Sequence, residues 1–149
     1  MPIADRVKVF DLEPGDPRLG SVLPVLQELR PHLTPELFHS VYEEGYGQGL
    51  RFLAAFDDDG ACLGVAGWRI VVNTVALRSL YVDDLVVAAA ARSGGVGHAL
   101  LAHLEERARE LRCHSLELDS GTQRTQAHRF YMREGLTIAA FHFLKSFDD

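Results

Sequence analysis

Two periods organise the apolar residues along this chain. "RVKVFDL" (6 to 12) alternates polar with β-branched or aromatic residues, as a half-buried strand does, and "EPGDP" breaks it with two prolines and a glycine. From Arg18 to Arg30, residues Leu19, Val22, Leu23, Leu26 and Leu29 recur at helical spacing, with Pro24 expected to start or kink the regular part. Thr34 and Pro35 read as the N-cap and first position of a second helix, whose buried stripe is Leu37, Phe38, Val41 and Tyr42. "LRFLAAF" (50 to 56) and "CLGVAGWRIVV" (62 to 72) are strands on either side of "DDDGA", whose Asp-Gly pair signals a hairpin.

The period then changes twice more. "LRSLYVDDLVV" (77 to 87) reads as a strand, and "VGHALLAHLEERARELR" (96 to 112) as an amphipathic helix with Val96, Leu100, Leu104, Ala108 and Leu111 on one stripe. "CHSLELD" alternates again, Thr125 to Glu134 is helical up to a C′ glycine at Gly135, and "LTIAAFHFLKSF" (136 to 147) is expected to close the chain as a strand. The order β-α-α-β-β-β-α-β-α-β predicts an α/β fold with a mixed sheet and helices on its faces. With 149 residues and a 47% hydrophobic composition, one domain over 1-149 is expected.

Charge and cysteine content narrow the function classes. A net charge of -6 argues against binding nucleic acid through its phosphate backbone. The longest apolar run, Leu85 to Ala91, is far too short to span a bilayer, so no membrane partner is expected. Cys62 and Cys113 lack the C-x-x-C spacing of a zinc or redox site, and no secretory pattern opens the chain, which points to the cytoplasm. The seven histidines give no metal site: His98 and His103 are not an i, i+4 pair, and His128 belongs to another helix. Cys113 opens a strand and reads as a small buried hydrophobe rather than a nucleophile.

The stretch "ARSGGVGHALL" (91 to 101) carries the most specific chemistry. It lies between a strand and a helix, where free backbone N–H groups and the positive end of the helix dipole can hold an anion, phosphate being the natural guest. Gly94, Gly95 and Gly97 let the backbone come close to that guest, and Arg92 can add a charge-assisted hydrogen bond. A Walker loop needs a terminal Gly-Lys-Ser/Thr that is absent here. The dinucleotide fingerprint G-x-G-x-x-G begins at Gly95 and Gly97 but meets Leu100 where its third glycine belongs.

What remains is R-x-x-G-x-G at Arg92, Gly95 and Gly97, and here the chain resembles the GNAT N-acetyltransferase superfamily. A second stretch, "SGTQRTQAHRFYMREGL" (120 to 136), is similar to that family's A-x-x-F-Y-x-x-x-G-[FL] segment at Ala127, Phe130, Tyr131, Gly135 and Leu136. Arg124 stands where many members have Asn, and "SGTQRTQAHRFY" with "FHFLKSF" is similar to aminoalkylphosphonate acetyltransferase-like members. The resemblance implies acetyl-CoA as cosubstrate. Leu85, Val86 and Val87 would then offer backbone groups to its pantetheine arm, and Arg92, Ser93, Gly94, Gly95, Val96, Gly97 and His98 would hold the pyrophosphate. Arg124 and Phe130 would join the cofactor site, and Tyr131 would protonate the departing thiolate.

The acceptor is expected to be a primary amine of a small molecule, or a peptide N-terminus or lysine, attacking the thioester directly. Such an amine must lose its proton first. Asp83 and Asp84 interrupt the apolar strand just before the cofactor segment; since neighbours on a strand point to opposite faces, at most one of them should face the cleft, and the resemblance, in whose family a carboxylate often stands near this place, favours Asp84. A carboxylate there could equally bind a cationic substrate. Acceptor-lining candidates between Leu29 and Gly49 are His32, Glu36, Tyr42, Glu43 and Tyr46. A non-catalytic acyl-CoA-binding module and a protein using the loop for another nucleotide are the alternative readings. The resemblance also implies a possible homodimer.

Overall fold

The computed structural model describes residues 6–148. Its elements are β1 (Lys8–Leu12), α1 (Leu19–Leu29), α2 (Pro35–Gly47), β2 (Arg51–Phe56), β3 (Cys62–Val71), β4 (Ser79–Val87), a 3₁₀ turn (Ala89–Ala91), α3 (Val96–Glu110), β5 (Ser115–Leu118) and α4 (Thr125–Arg133). They fall into two compact units, Met1–Leu118 and Asp119–Asp149.

In the first unit the strands form one sheet in the order β1-β2-β3-β4-β5. The first three pairings are antiparallel and β4 with β5 is parallel, as a crossover through a helix requires. The mixed sheet expected from the order of elements is therefore present. The "DDDGA" turn closes through Gly60, which takes φ 82°, and through Asp57, whose Oδ1 accepts the N–H groups of Asp59 and Ala61 at 2.9 Å each.

One face of the sheet carries Leu12, Phe52, Ala54, Phe56, Val65 and Val86, packed on Val22, Leu23, Val25 and Leu26 of α1 and on Phe38 and Tyr42 of α2. Pro24 does not start α1. The helix begins five residues earlier, and the residue four back from the proline, whose carbonyl the ring crowds, is the pliant Gly20. Thr34 caps α2 as expected, its hydroxyl accepting the Leu37 N–H at 3.1 Å. Of the expected stripe only Phe38 and Tyr42 are buried; Leu37 and Val41 are 42% and 46% exposed, because they sit a further 100° around the helix, off the sheet.

The other face receives α3, whose Val96, Leu100, Leu101, Leu104 and Ala108 are all buried. Gly64 makes that contact possible: a Cβ there would come within 2.8 Å of Leu100 Cδ1 and 3.1 Å of Val96 Cγ1. The helix stops at Glu110, short of the expected Arg112. Arg112 itself turns left-handed at φ 61°, while its N–H bonds the Arg109 carbonyl and the Cys113 N–H bonds that of Ala108, a Schellman stop without glycine.

In the second unit α4 ends in the same motif with the expected glycine. Gly135 has φ 91°, the Leu136 N–H bonds the Tyr131 carbonyl at 3.0 Å, and the Gly135 N–H bonds that of Met132 at 3.1 Å. The closing strand expected at 136 to 147 is not formed. Its alternation reflects a chain able to pair, but a strand exists only with a ladder partner, and among the described residues this segment has none. Ile138, Phe141, Phe143, Leu144 and Phe147 are correspondingly 74% to 91% exposed.

Candidate active site

The candidate site is organised by a break in β4. Its pairing with β5 runs from Ser79↔Ser115 to Val82↔Leu118 and then ends, whereas its pairing with β3 continues to Val87↔Gly64. At the same point the β3–β4 register slips, Trp68 facing Val82 and Gly67 facing Asp84, so that Asp83 is the extra residue of a bulge. From Asp83 onward one edge of β4 has no strand beside it among the described residues.

The register decides which backbone groups use that edge. The Ala88 N–H bonds the Leu63 carbonyl at 2.8 Å, so alternate residues, Val86 and Asp84, turn their polar groups toward β3. Leu85 and Val87 turn theirs to the open edge, where an extended ligand could pair with them as a strand does. Asp83 already does so, its carbonyl accepting Arg30 Nη2 at 3.0 Å.

The bulge also changes the expected placement of the two carboxylates. Strict alternation would send Asp83 and Asp84 to opposite faces, but the extra residue interrupts it, and both side chains meet arginines. Arg30, which follows α1, donates to Asp84 Oδ1 at 2.8 Å, and Arg69 of β3 lies 3.1 Å from Asp83 Oδ2. Burial pushes the Asp83 carboxyl above its usual range, with the Asp84 charge adding to the rise; Arg69, and more weakly Arg30, oppose it without cancelling it. Gly67 leaves room for this arrangement, since a Cβ there would lie 3.1 Å from Asp84 Oδ2 and 2.7 Å from Phe52 Cε1.

Past Val87 the chain makes its 3₁₀ turn and reaches the glycine-rich loop. Ser93 and Gly95 are both left-handed, at φ 69° and 85°, and such alternation curls successive N–H groups around a concavity suited to an anion. No side chain caps α3, whose first intrahelical bond is donated by Ala99 to Gly95, so the N–H groups of Val96 and Gly97 point out of the helix end. Arg92 is exposed beside them, 3.6 Å from Glu28. The loop directly continues the open edge of β4. The Arg92 and Gly94 N–H groups are engaged within the turn by the Ala89 and Ala91 carbonyls, at 3.5 and 3.4 Å, so the donors an anion could meet here are the outward N–H groups of Val96 and Gly97 and the exposed Arg92 guanidinium. The site is an open edge: a concavity of about 300 Å³ lined by Lys8, Phe10, Arg18 and Phe56 shares no residue with it.

The remaining sequence candidates belong to other elements. Arg124 is the N-cap residue of α4, and Phe130 and Tyr131 are half-buried on that helix with ring centroids 5.6 Å apart, all within the second unit. Tyr42 is no acceptor-lining residue, being 1% exposed, whereas His32, Glu36 and Glu43 are exposed and Tyr46 lies under the Arg51 guanidinium at 3.6 Å. Burial pushes the Cys62 thiol up to about 11, which leaves it an inert core group. Sequence reasoning missed Arg30 and Arg69, whose roles depend on a bulge that no local pattern announces. No helix of the described residues is long and apolar enough to cross a membrane, and no group of three among their His, Cys, Asp and Glu side chains could hold a metal ion.

Comparison with known proteins identifies relatives of the chain. The acetyltransferase (GNAT) family matches over residues 21–136. The chain is 32% identical to the N-acetyltransferase YhdJ of Bacillus subtilis, over 82% of this chain and 87% of that protein. It is 40% identical to the aminoalkylphosphonate N-acetyltransferase of Salmonella typhimurium over a shorter stretch, 44% of this chain and 42% of that one. Its fold matches that of the aminoglycoside N-acetyltransferase AAC(6')-Iy, solved in complex with CoA, with a TM-score of 0.83 at 16% identity over 95% of each chain. The open edge of β4 and the glycine-rich loop beyond it are therefore features of a protein that belongs to the GNAT acetyltransferase family, the acetyl-CoA-dependent N-acetyltransferases.

Proposed function

We propose that this enzyme acetylates a primary amine, carried by a small molecule or by a peptide N-terminus or lysine, through direct attack on the thioester of acetyl-CoA. The observation that carries the reading is the coincidence of three features at one point of β4: the end of pairing with β5, the bulge, and the two carboxylates. Leu85 and Val87 bind the pantetheine arm through their backbones, Val86 supports it from within the sheet, and Arg92 to His98 hold the pyrophosphate. Arg124 and Phe130 are assigned to the cofactor by the resemblance of their segment, residues 120 to 136, to the family's motif. The family match runs across the boundary between the two units, which supports reading residues 1-149 as one functional domain.

The acceptor nitrogen forms a bond to the thioester carbon as the carbon–sulfur bond breaks. The nitrogen loses a proton to the Asp83–Asp84 pair, and the thiolate gains one from Tyr131. Asp84 is the expected base, yet its pairing with Arg30 suits it better to orienting the acceptor, while the Asp83 carboxyl, raised by burial, holds a proton more readily and is the better matched to receive one. Positioning supplies more of the rate than either group.

A panel of amino acids, aminoalkylphosphonates, aminoglycosides and lysine-bearing peptides, with acetyl-CoA and detection of free thiol, tests this reading. Thiol release that depends on one amine class is expected, and silence across the panel overturns it. Tyr131→Phe should lower kcat by up to roughly 10²-fold, the low end of general-acid effects, with little change in acetyl-CoA affinity. Full activity of that variant at every pH would remove Tyr131 from the chemistry.

The enzyme is further read as a cytoplasmic homodimer. The cysteines are free, in keeping with a reducing compartment. The five large apolar side chains exposed between Ile138 and Phe147 amount to on the order of 800 Å², the share one partner contributes to a standard interface. Sedimentation velocity that finds only monomer across a concentration series would overturn the dimer.

A further inference from the structure

Glu28 reaches from α1 to the turn that leads into the phosphate loop. Its Oε1 accepts the Ala89 N–H at 3.0 Å across 61 residues of chain and lies 3.6 Å from Arg92 Nη2. Ala89 opens the 3₁₀ turn, so its N–H has no carbonyl partner within the turn, and the carboxylate supplies one. The charge is the wrong sign for a neighbourhood that receives an anion, and it competes with phosphate for Arg92. A carboxylate in such a position weakens cofactor binding by its charge, so its contribution has to come from the bond to the backbone.

We propose that Glu28 is a positioning residue for acetyl-CoA. Its bond to Ala89 sets the course of the chain from Val87 to Arg92, and its ion pair parks the Arg92 guanidinium at the loop until a phosphate takes it over. The proposal rests on the assignment of residues 92 to 98 to the pyrophosphate. It ties α1 to the cofactor loop through one side chain.

Two substitutions separate the hydrogen bond from the charge. Glu28→Gln keeps a carbonyl oxygen for Ala89 and removes the charge, whereas Glu28→Ala removes both. The alanine variant should raise the Kd for CoA by calorimetry, and the KM for acetyl-CoA, by roughly tenfold, the size of one lost loop hydrogen bond. Its kcat should stay within about twofold of wild type, as expected when binding rather than the transition state is affected. The glutamine variant should bind CoA as well as wild type or more tightly. Tighter binding by both variants overturns the proposal, because the carboxylate would then act by charge alone. Amide exchange in the free protein gives a second reading: protection at Ala89 to Arg92 should fall in Glu28→Ala and persist in Glu28→Gln, and equal protection in all three proteins also overturns it. Wild-type protein that binds no CoA counts against the assignment of residues 92 to 98, whereas the exchange measurement reads the anchoring of the loop without ligand.

Discussion

Tyr42 gives the sharpest test of how the first unit is held together. Its hydroxyl donates to the Leu12 carbonyl and accepts the Phe52 N–H at 3.1 Å. Leu12 and Phe52 face each other at the end of the β1–β2 ladder, so the phenol from α2 closes a rung between the strands. Tyr42→Phe keeps the ring, with its edge contact to Phe52 at 4.8 Å between centroids, and strips both backbone groups of their partner in a site that is 1% exposed. Each buried group left unsatisfied costs roughly 1–3 kcal/mol, and because the strands can close part of the gap the total should be about 2–4 kcal/mol. For a chain of this size that is a fall in Tm of roughly 4–16 °C, read by calorimetry. Tyr46→Phe is the control, since it preserves the ring under Arg51 and should change Tm by no more than about 2 °C. A Tyr42→Phe protein that melts with wild type would refute the reasoning, because the phenol would then be a space-filler and nothing more.

Gly64→Ala should destabilise by about 1–3 kcal/mol through overpacking, because its Cβ meets Leu100 at 2.8 Å and the fixed Val86 carbonyl at 3.2 Å; Gly47→Ala, with nothing within 4 Å, should not. Chemical denaturation of the two variants reads the difference, and equal midpoints would show that α3 is free to lift. The Asp83 carboxyl is raised above 3.8, so the folded state binds that proton more tightly than the unfolded chain does. Its contribution to stability is full below the unfolded pKa and is lost as pH rises through the folded one. The Tm of Asp83→Asn relative to wild type should therefore climb as pH rises from about 4, the ordinary Asp value, through the raised folded pKa, and a constant difference would contradict the raised pKa.

The elements were legible in the sequence where local chemistry alone defined them. Thr34 and Pro35 fixed the start of α2, and Gly135 fixed the end of α4, because a cap is made by the residues that spell it. The end of α3 was overrun because Arg112 occupies a left-handed position that glycine usually announces. The last strand failed for another reason: alternation at 136 to 147 records a side-chain pattern, whereas a ladder needs a second chain segment that no local window contains. The same division runs through the site. The loop's conformation could be read in part because the loop is contiguous: Gly95 takes the left-handed φ that glycine allows, whereas the other left-handed residue of the loop is Ser93, which no glycine announces. The pairing of Asp84 with Arg30, fifty-four residues away, could not be read, since it depends on a register slip between two strands.

The change of direction between β4 and β5 also bears on how the chain folds. β2, β3 and β4 are joined by short connections, so their contacts close small loops and can form early. β5 joins through a crossover that contains α3, because a parallel neighbour must be brought back across the sheet, so its contacts close a larger loop than the hairpins do. Its ladder, Ser115 to Leu118, is short and reaches only as far as Val82. The open edge of β4 thus continues a seam that long-range closure has to make, and Asp83 is the point where that closure stops.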